Sequence, residues 1–439
     1  MTDIKDKLKY LKKERQTRTK TQKIHDTWET IERKGNLSTK EKLEHLINLT
    51  RTEKKPESRV PQFESQEREP IQFIENPYSL DVRYGKIKIA DGLTISGNIL
   101  SCLSKDPRFE NLDLSTALFI DLETTGLSGG TGVIPFLVGM GYYRDNKFNV
   151  AQYFLGDPSE EERMIKELNQ FFSDMEFQSV ITFNGKVFDI PLLETRYILK
   201  RQPFMLNELP HLDFLFPARS LWAHKLENCR LHNLALEVVK TGRTEDIPSA
   251  EIPWRYFQYI QTGDYDLIEP ILYHNQEDIL SLLGVIIIGS QIFSEDPKTS
   301  KADAMDFFGA GKVLEKFGQM EKSSLYFQKA IEGHLSSEIF LSARRRLSMQ
   351  FKKNQDWDKA VSLWKEMAAA ETPSNNLLFS LRELAMHYEH KKKDYLKAKK
   401  MSEEGFVLAR NFSAYYERDF SHRMERLRIK IKKGKENQD

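Results

Sequence analysis

Two carboxylates, Asp121 and Glu123, stand two residues apart at the end of an apolar segment that begins at Ala117. The segment predicts a β-strand, and side chains at positions i and i+2 of a strand point to the same face. Both carboxylates should therefore converge on one point, where they repel each other unless a cation lies between them. Hard oxygen ligands suit Mg²⁺ or Mn²⁺. From spacing alone, two solvated acids at a strand end remain the alternative.

Two further groups of residues would complete such a site. Asp189 follows a strand-like segment and the turn residues Asn184-Gly-Lys, and on its own it is interpreted as an ordinary helix N-cap. His274 and Asp278 lie four residues apart in a helical stretch and so share one face. Tyr273 lies roughly 140° around that helix from Asp278. A surface His–Asp pair is the simpler interpretation when this segment is taken alone.

Taken together, the three groups resemble the DEDD exonuclease superfamily, which is built on the ribonuclease H-like fold. A wider pattern is similar to the YprB-type branch of ribonuclease H-like proteins, which often carry a tetratricopeptide-like C-terminal part. The resemblance covers roughly residues 80–295 well. The segments that carry it are Asp121-Leu-Glu-Thr-Thr-Gly-Leu-Ser-Gly-Gly-Thr-Gly, Phe183-Asn-Gly-Lys-x-Phe-Asp-Ile-Pro-Leu-Leu, His211-Leu-Asp-Phe-Leu-x3-Arg219, Asp246-Ile-Pro and His274-Asn-x2-Asp278.

The resemblance implies a metal-dependent nuclease, with a 3′–5′ exonuclease as the expected type. It implies hydrolysis of phosphodiester bonds in DNA or RNA with two Mg²⁺ or Mn²⁺ ions. The implied metal ligands are Asp121, Glu123, Asp189 and Asp278. The expected contacts to nucleic acid are Thr124, Asn184, Lys186 and Arg243.

The catalytic base is expected at His274. The better-studied subclasses place a His five residues before the last Asp or a Tyr four residues before it. This chain has Tyr273 at the first position and His274 at the second, so both alternatives stay open. His274 is favoured because it shares a helix face with Asp278 and because a histidine titrates near neutral pH. Asp213 is interpreted as a structural acid at a helix start.

The elements around these residues predict an α/β layer fold with a mixed sheet, and the resemblance implies that it is an α/β ribonuclease H-like domain. Strand-like runs cover residues 133–143 and 148–155, and turn residues separate them. An acidic helix start at Pro158, a strand at 179–183 and helices from Leu231 onward follow. A three-strand meander followed by helix, strand and helices is typical of a layered α/β fold.

The C-terminal part predicts an all-α helical-repeat domain. Small and bulky residues recur at spacings of 37 and 38, near the ~34 of tetratricopeptide repeats. The recurring positions are Ser323, Phe327 and Ala330, then Ala360, Trp364 and Met367, then Ala398, Ser402 and Gly405. The predicted organisation is a basic arm at 1–60, a lead-in at 61–110, the nuclease domain at 111–298, repeats at 303–420 and a basic tail at 421–439.

The charge of the chain is unevenly distributed. The formal net charge is +1, but residues 1–60 carry 17 basic and 10 acidic side chains, and residues 301–439 carry 28 and 20. An acidic middle therefore lies between two basic flanks, which would draw in a phosphate chain electrostatically. The expected partner is nucleic acid, DNA or RNA, and the expected form of it is a single-stranded end.

The composition of the chain predicts its cellular location. Two cysteines cannot form a disulfide framework, which favours a reduced, cytoplasmic location. The first residues have no apolar core with a cleavage site, and no uninterrupted apolar run reaches the ~20 residues of a membrane span. The alternative function is a catalytically weak or inactive nucleic-acid-binding adaptor whose helical repeats recruit a protein partner.

Overall fold

The computed structural model describes residues 69–126, 132–242, 247–294, 302–369 and 374–436. The predicted basic arm at 1–60, most of the glycine turn after Gly126, Arg243 and Asp246 lie outside the described residues. The proposed domain boundaries stay predictions.

Six strands form one mixed sheet in the order β1-β6-β5-β4-β7-β8. Strands β4, β5 and β6 form an antiparallel meander, β1 extends it beside β6, and β7 and β8 run parallel to β4. The predicted mixed sheet is confirmed. The bounds are β1 (Ile71–Ser79), β4 (Ala117–Thr124), β5 (Pro135–Arg144), β6 (Lys147–Leu155), β7 (Ser179–Thr182) and β8 (His211–Asp213), while β2 (Arg83–Tyr84) and β3 (Ile87–Lys88) pair separately.

The turn between β5 and β6 follows from its two central residues. Asp145 and Asn146 have φ angles of 52° and 57°. Positive φ at both central residues matches the right-handed twist of the flanking strands, and Asp and Asn adopt it more readily than most residues. The predicted hairpin is therefore present.

Two strands of the six-stranded sheet were not predicted from the sequence. The first is β1, which contains Pro77 and was assigned to a mixed lead-in. Proline is tolerated there because β1 is an edge strand, paired with β6 alone. The second is β8, whose three residues are too short to show an alternating pattern.

Helices cover both faces of the sheet. On one face of β4, Leu118 and Ile120 pack in a core with Met164 and Leu168 of helix α2. On the other face, Phe119 packs in a core with apolar residues of helix α7. The helices of this part are α1 (Gly97–Ser104), α2 (Glu161–Met175), α3 (Asp189–Leu199), α4 (Leu215–Trp222), α5 (Leu231–Leu234), α6 (Ile252–Thr262) and α7 (Glu269–Ser294).

Helix α7 is the central helix of the fold. Among the described residues, the segment Tyr265–Phe293 is the single helix long and apolar enough to cross a membrane, with a hydropathy of 1.4. However, 72% of its most apolar window is buried inside the protein. Such burial is typical of a core helix that packs on a sheet.

Seven helices follow, and no strand occurs in the described part of residues 302–436. Consecutive helices pack against each other, and the recurring positions noted in the sequence are buried in α9, α11 and α13. The predicted helical region is confirmed, while its tetratricopeptide identity stays a prediction. The helices are α8 (Ala304–Phe317), α9 (Met320–Glu332), α10 (Ser337–Lys353), α11 (Trp357–Ala368), α12 (Asn375–His387), α13 (Tyr395–Ala409) and α14 (Ala414–Glu436).

The first helix of this region packs directly on the α/β part. A Cβ atom at Gly309 of α8 would lie 2.3 Å from the carbonyl oxygen of Leu221, so only glycine permits this approach. Lys225 after α4 also lies 2.8 Å from carboxylates of both Asp303 and Asp306 at the start of α8. Helix α8 is therefore held against α4.

Candidate metal and nucleic-acid site

Strand β4 presents two acids to α7. Asp121 and Glu123 alternate with Leu122, whose side chain packs in the core on the α2 side of the sheet. The pairing of β4 with β5 becomes irregular between Glu123 and Thr124. The two predicted carboxylates therefore share the sheet face that α7 covers, at the point where the regular strand ends.

Two glycines of β5 let α7 approach the sheet at this level. A Cβ atom at Gly139 would lie 2.0 Å from the side-chain oxygen of Asn275, and one at Gly141 would lie 2.6 Å from Ile279. Any larger residue at either position would push α7 away. Close packing of α7 is what brings its polar residues to Asp121 on the neighbouring strand.

Asn275 links α7 to Asp121 directly. Its Nδ2 donates to Oδ2 of Asp121 at 2.9 Å, and its Oδ1 accepts from Nε2 of Gln152 at 2.9 Å. The Asn275 side chain is fully buried. Asn275 is not among the site residues predicted from the sequence, although an amide within an apolar helix is a signal that could have identified it.

His274 lies between two of the predicted metal ligands. Its Nε2 is 3.5 Å from Oε1 of Glu123 and 3.5 Å from Oδ2 of Asp278. Tyr273 instead is 48% exposed and faces Tyr78 on β1, whose pKa is raised to about 12, first by burial and then by the nearby Glu277 and Tyr273. Of the two residues that the sequence left open, His274 is the one placed among the acids.

Asp189 joins the group from α3. It is the first residue of that helix. Its pKa is raised to about 7, first by burial and then by the charge of Asp213, while hydrogen bonds from the backbone of Asp189 and Leu122 act in the opposite direction. An N-cap role alone does not account for a carboxyl group whose charged form is destabilised in this way.

Asp213 has a different environment from Asp189. It accepts hydrogen bonds from the backbone N–H groups of Asn184 at 2.7 Å, Lys186 at 3.1 Å and Leu215 at 3.1 Å. These bonds fix the loop between β7 and α3 to the start of α4. The geometry fits the structural role expected for this acid.

The four predicted ligands form one electrostatic group. The pKa of Asp121 is raised well above its usual range, first by burial and then by Asp278, Asp189 and Glu123, with His274 opposing the shift. Among the described residues, no three acidic, histidine or cysteine side chains are placed close enough together to hold a metal ion. It is the chemistry of the donor set that suits a divalent cation, because grouped carboxylates are hard ligands whose mutual repulsion a cation would relieve.

The predicted nucleic-acid contacts occupy different environments. The hydroxyl of Thr124 donates to the carbonyl of Gly126 at 2.8 Å and so stabilises the turn after β4. Asn184 has a φ of 70° and binds Asp213 through its backbone, while the Lys186 side chain is exposed beside it. Arg243 lies outside the described residues.

Comparisons with known proteins agree with this architecture. Residues 118–287 match the family described as the RNase_H superfamily. The uncharacterized protein YprB of Bacillus subtilis (strain 168) is 33% identical over 317 residues, which cover 71% of this chain and 74% of that protein.

Among solved structures, the family B DNA polymerase of Pyrobaculum calidifontis is similar at 13% identity with a TM-score of 0.34. The match covers 53% of this chain but spans only 29% of the polymerase chain, and it adds nothing to the assignment. The family match and the similarity to YprB together are sufficient to assign the chain to a family. The chain belongs to the YprB family and carries an RNase H superfamily domain.

Proposed function

We propose that this protein is a DEDD-type 3′–5′ exonuclease that hydrolyses phosphodiester bonds of DNA or RNA. An RNase H superfamily domain indicates a nuclease-type hydrolase that acts on nucleic acid. The single observation that carries the proposal is the grouping of Asp121, Glu123, Asp189 and Asp278, in which burial and then the three neighbouring acids raise the pKa of Asp121. Strongly perturbed carboxyl groups that share one site are typical of functional sites.

The residues that would hold two Mg²⁺ or Mn²⁺ ions are these four acids. When bound, such ions lower the pKa of the attacking water and stabilise the charge that develops on the leaving oxygen. His274 then accepts the proton of the water at Nε2, the ring nitrogen that lies between Glu123 and Asp278. Asn275 acts as a positioning residue, because its amide holds the Asp121 carboxylate in one orientation.

The substrate is a nucleic-acid strand that enters by a single-stranded end. The protein works in the cytoplasm, where its two free cysteines stay reduced. The helical region offers a surface for a protein partner. These parts of the proposal rest on the sequence and on the fold.

The test is digestion of end-labelled single- and double-stranded DNA and RNA by the purified full chain. Reactions contain Mg²⁺, Mn²⁺ or a chelator, and separate 5′ and 3′ labels report the polarity of digestion. The variant Asp121→Asn should lose activity. The control Asp145→Asn removes an equal charge from an exposed hairpin turn that asparagine suits, and it should digest like the wild type.

The result decides between the two functions that the sequence left open. Metal-dependent loss of nucleotides from the 3′ end supports the exonuclease. No cleavage with either metal, together with retained binding of the labelled strands, would favour the nucleic-acid-binding adaptor. Equal digestion by Asp121→Asn and the wild type would overturn the site assignment.

A further inference from the structure

A basic cleft lies between the α/β part and the first helix of the helical region. Its volume is about 380 Å³, and its walls are the end of α1, helix α4 and helix α8. Five cationic side chains line it, and they come from four separate segments of the chain. They are Lys105, Lys186, Arg219, Lys312 and Lys316.

These cations have no acidic counterpart. Among the residues that the structure describes, none of the five forms an ion pair with a carboxylate. The single acid in the lining is Asp213, which is buried and already accepts three backbone hydrogen bonds. Lys316 donates to the hydroxyl of Ser220 at 3.0 Å, which is a neutral partner. The cleft therefore carries a net positive charge.

The lysines of α8 are crowded by like charges. Burial lowers the pKa of Lys312, and the nearby Arg346 and Lys316 lower it further. Burial also lowers the pKa of Lys316, with Lys105 and Arg346 adding to the effect. Elsewhere on the same helix, Glu315 pairs with Arg346 outside the cleft lining and partly opposes the lowering of the Lys316 pKa. An anion in the cleft would relieve this repulsion.

The cleft and the candidate active site are linked by two residues of the cleft lining, Lys186 in the loop before Asp189 and Asp213, whose charge acts on Asp189. Lys186 lies on its wall and is three residues before Asp189, and the backbone of Lys186 is tied to Asp213 in the same lining. Phe216 also lines the cleft and exposes 51% of its surface. An exposed aromatic ring beside a row of cations is typical of sites that bind single strands, in which bases stack while phosphates pair with lysine and arginine.

We propose that this cleft binds the phosphodiester backbone of the nucleic-acid strand whose end lies at Asp121, Glu123, Asp189 and Asp278, with Phe216 as a stacking surface. The inference rests on the proposed nuclease function and deepens it. Helix α8 then belongs to the substrate site, so the helical region holds the strand itself in addition to any protein that it recruits.

The test measures binding without cleavage. Fluorescence anisotropy follows a fluorescein-labelled oligodeoxythymidylate of about 20 nucleotides, longer than the ~4–16 that one single-strand site covers. A chelator is present throughout, so hydrolysis cannot change the probe. The variant combines Lys312→Gln with Lys316→Gln, which removes both charges of α8 and keeps a polar group near Ser220.

The expected result is a loss of affinity of about tenfold at low salt. The slope of log affinity against log salt should also fall by about 1.4, since each lost phosphate contact to a single strand removes ~0.7. The control combines Lys365→Gln with Lys400→Gln, two exposed lysines of α11 and α13 with the same total charge change. It should bind the oligonucleotide like the wild type.

Three outcomes would overturn the proposal. The first is an unchanged affinity of the cleft variant for the oligonucleotide, and the second is an equal loss of affinity in the control. The third comes from adding inorganic phosphate as a competitor. If the cleft variant changes only the competition by phosphate, the cleft holds a free anion and not the strand. The cleft variant should unfold at or above the wild-type temperature, and if it does not fold, Lys105→Gln with Lys186→Gln takes its place. Because no metal is present, failure here is separate from failure of the digestion assay.

Discussion

Two carboxylates, the buried Glu389 in the helical region and the partly buried Asp121 at the end of β4, have opposite environments. Glu389 is fully buried and lies within 2.8 Å of Arg423, Arg426 and Lys430 on α14. Burial alone would raise its pKa, but hydrogen bonds from Arg426 and Lys430 outweigh burial and hold the pKa well below the usual range. Asp121 is surrounded by acids, and its pKa moves in the opposite direction.

The difference does not come from the type of domain. Glu161 lies in the same α/β part as Asp121, is buried, and pairs with Arg196 and with Lys200 at 3.0 Å. Its pKa is lowered, because these two cations outweigh the effect of burial. Buried Glu389 and Glu161 each receive at least two cations from the chain, whereas Asp121 lies among other acids whose charges raise its pKa. Such a local exception is expected where function outweighs stability.

The strongest way to break this comparison is to neutralise one site acid. Asp121→Asn should reduce metal-dependent hydrolysis on the order of 10³-fold or more, because Asp121 would hold a divalent cation and an amide lacks the negative charge for that role. In a chelator, the same variant should unfold at the wild-type temperature or above it, since it removes charge repulsion and retains an oxygen for Asn275. Digestion rates and thermal melts check both parts. A large loss of stability would show that Asp121 is a structural acid like Glu389.

A substitution at Glu389 tests the structural carboxylate of this comparison. Glu389→Gln should lower the free energy of unfolding by about 3–5 kcal/mol, because it removes the shared partner charge of three cations and leaves buried Arg423 with only the longer pair to Asp419, at 3.5 Å. Urea denaturation measures the loss. The control Glu366→Gln breaks a more exposed pair with Arg344 and should cost about 1 kcal/mol or less. Equal effects of the two substitutions would contradict the structural role of Glu389.

A smaller effect is expected at Asn275. Asn275→Ala should lower activity by about 10–100-fold and raise the Mn²⁺ concentration needed for half-maximal rate, since Asp121 loses its orienting hydrogen bond. The control is Asn76→Ala, which removes a 2.7 Å bond to Gln276 on the same helix without touching an acid. A rate loss with an unchanged Mn²⁺ requirement would mean that Asn275 acts only through the fold.

The smallest effect is the dependence of stability on pH. The folded-state pKa of Glu389 is depressed below 4.5, so its contribution is present above that pH and is lost as the pH falls through the folded-state value. The stability difference between the wild type and Glu389→Gln should therefore shrink as urea melts are taken from neutral pH to below about 4. If the stability difference between the two proteins stays constant with pH, the ion pairs of Glu389 do not account for its contribution to stability.

The sequence predicted what lies on single elements. The meander β4–β6 follows from apolar runs joined by turn residues, and the shared faces of Asp121 with Glu123 and of His274 with Asp278 follow from strand and helix periodicity. These pairs are where the sequence placed them.

The remainder depends on packing between distant segments. Strand β1 was missed because a proline is acceptable only at a sheet edge, and edges are not visible in a sequence. The bond from Asn275 to Asp121 needs Gly139 on a third element, and the basic cleft combines four separate segments. No spacing within one helix or strand encodes such contacts.

The most direct test of the central claim is a calorimetric titration of the metal-free protein with Mn²⁺. The claim is that the carboxylates grouped around Asp121 bind cations from solution. The account predicts about two Mn²⁺ ions per wild-type chain, weakened binding in Asp121→Asn, and unchanged binding in Asp145→Asn. Absence of Mn²⁺ binding by the wild type, or equal binding by Asp121→Asn, would contradict it.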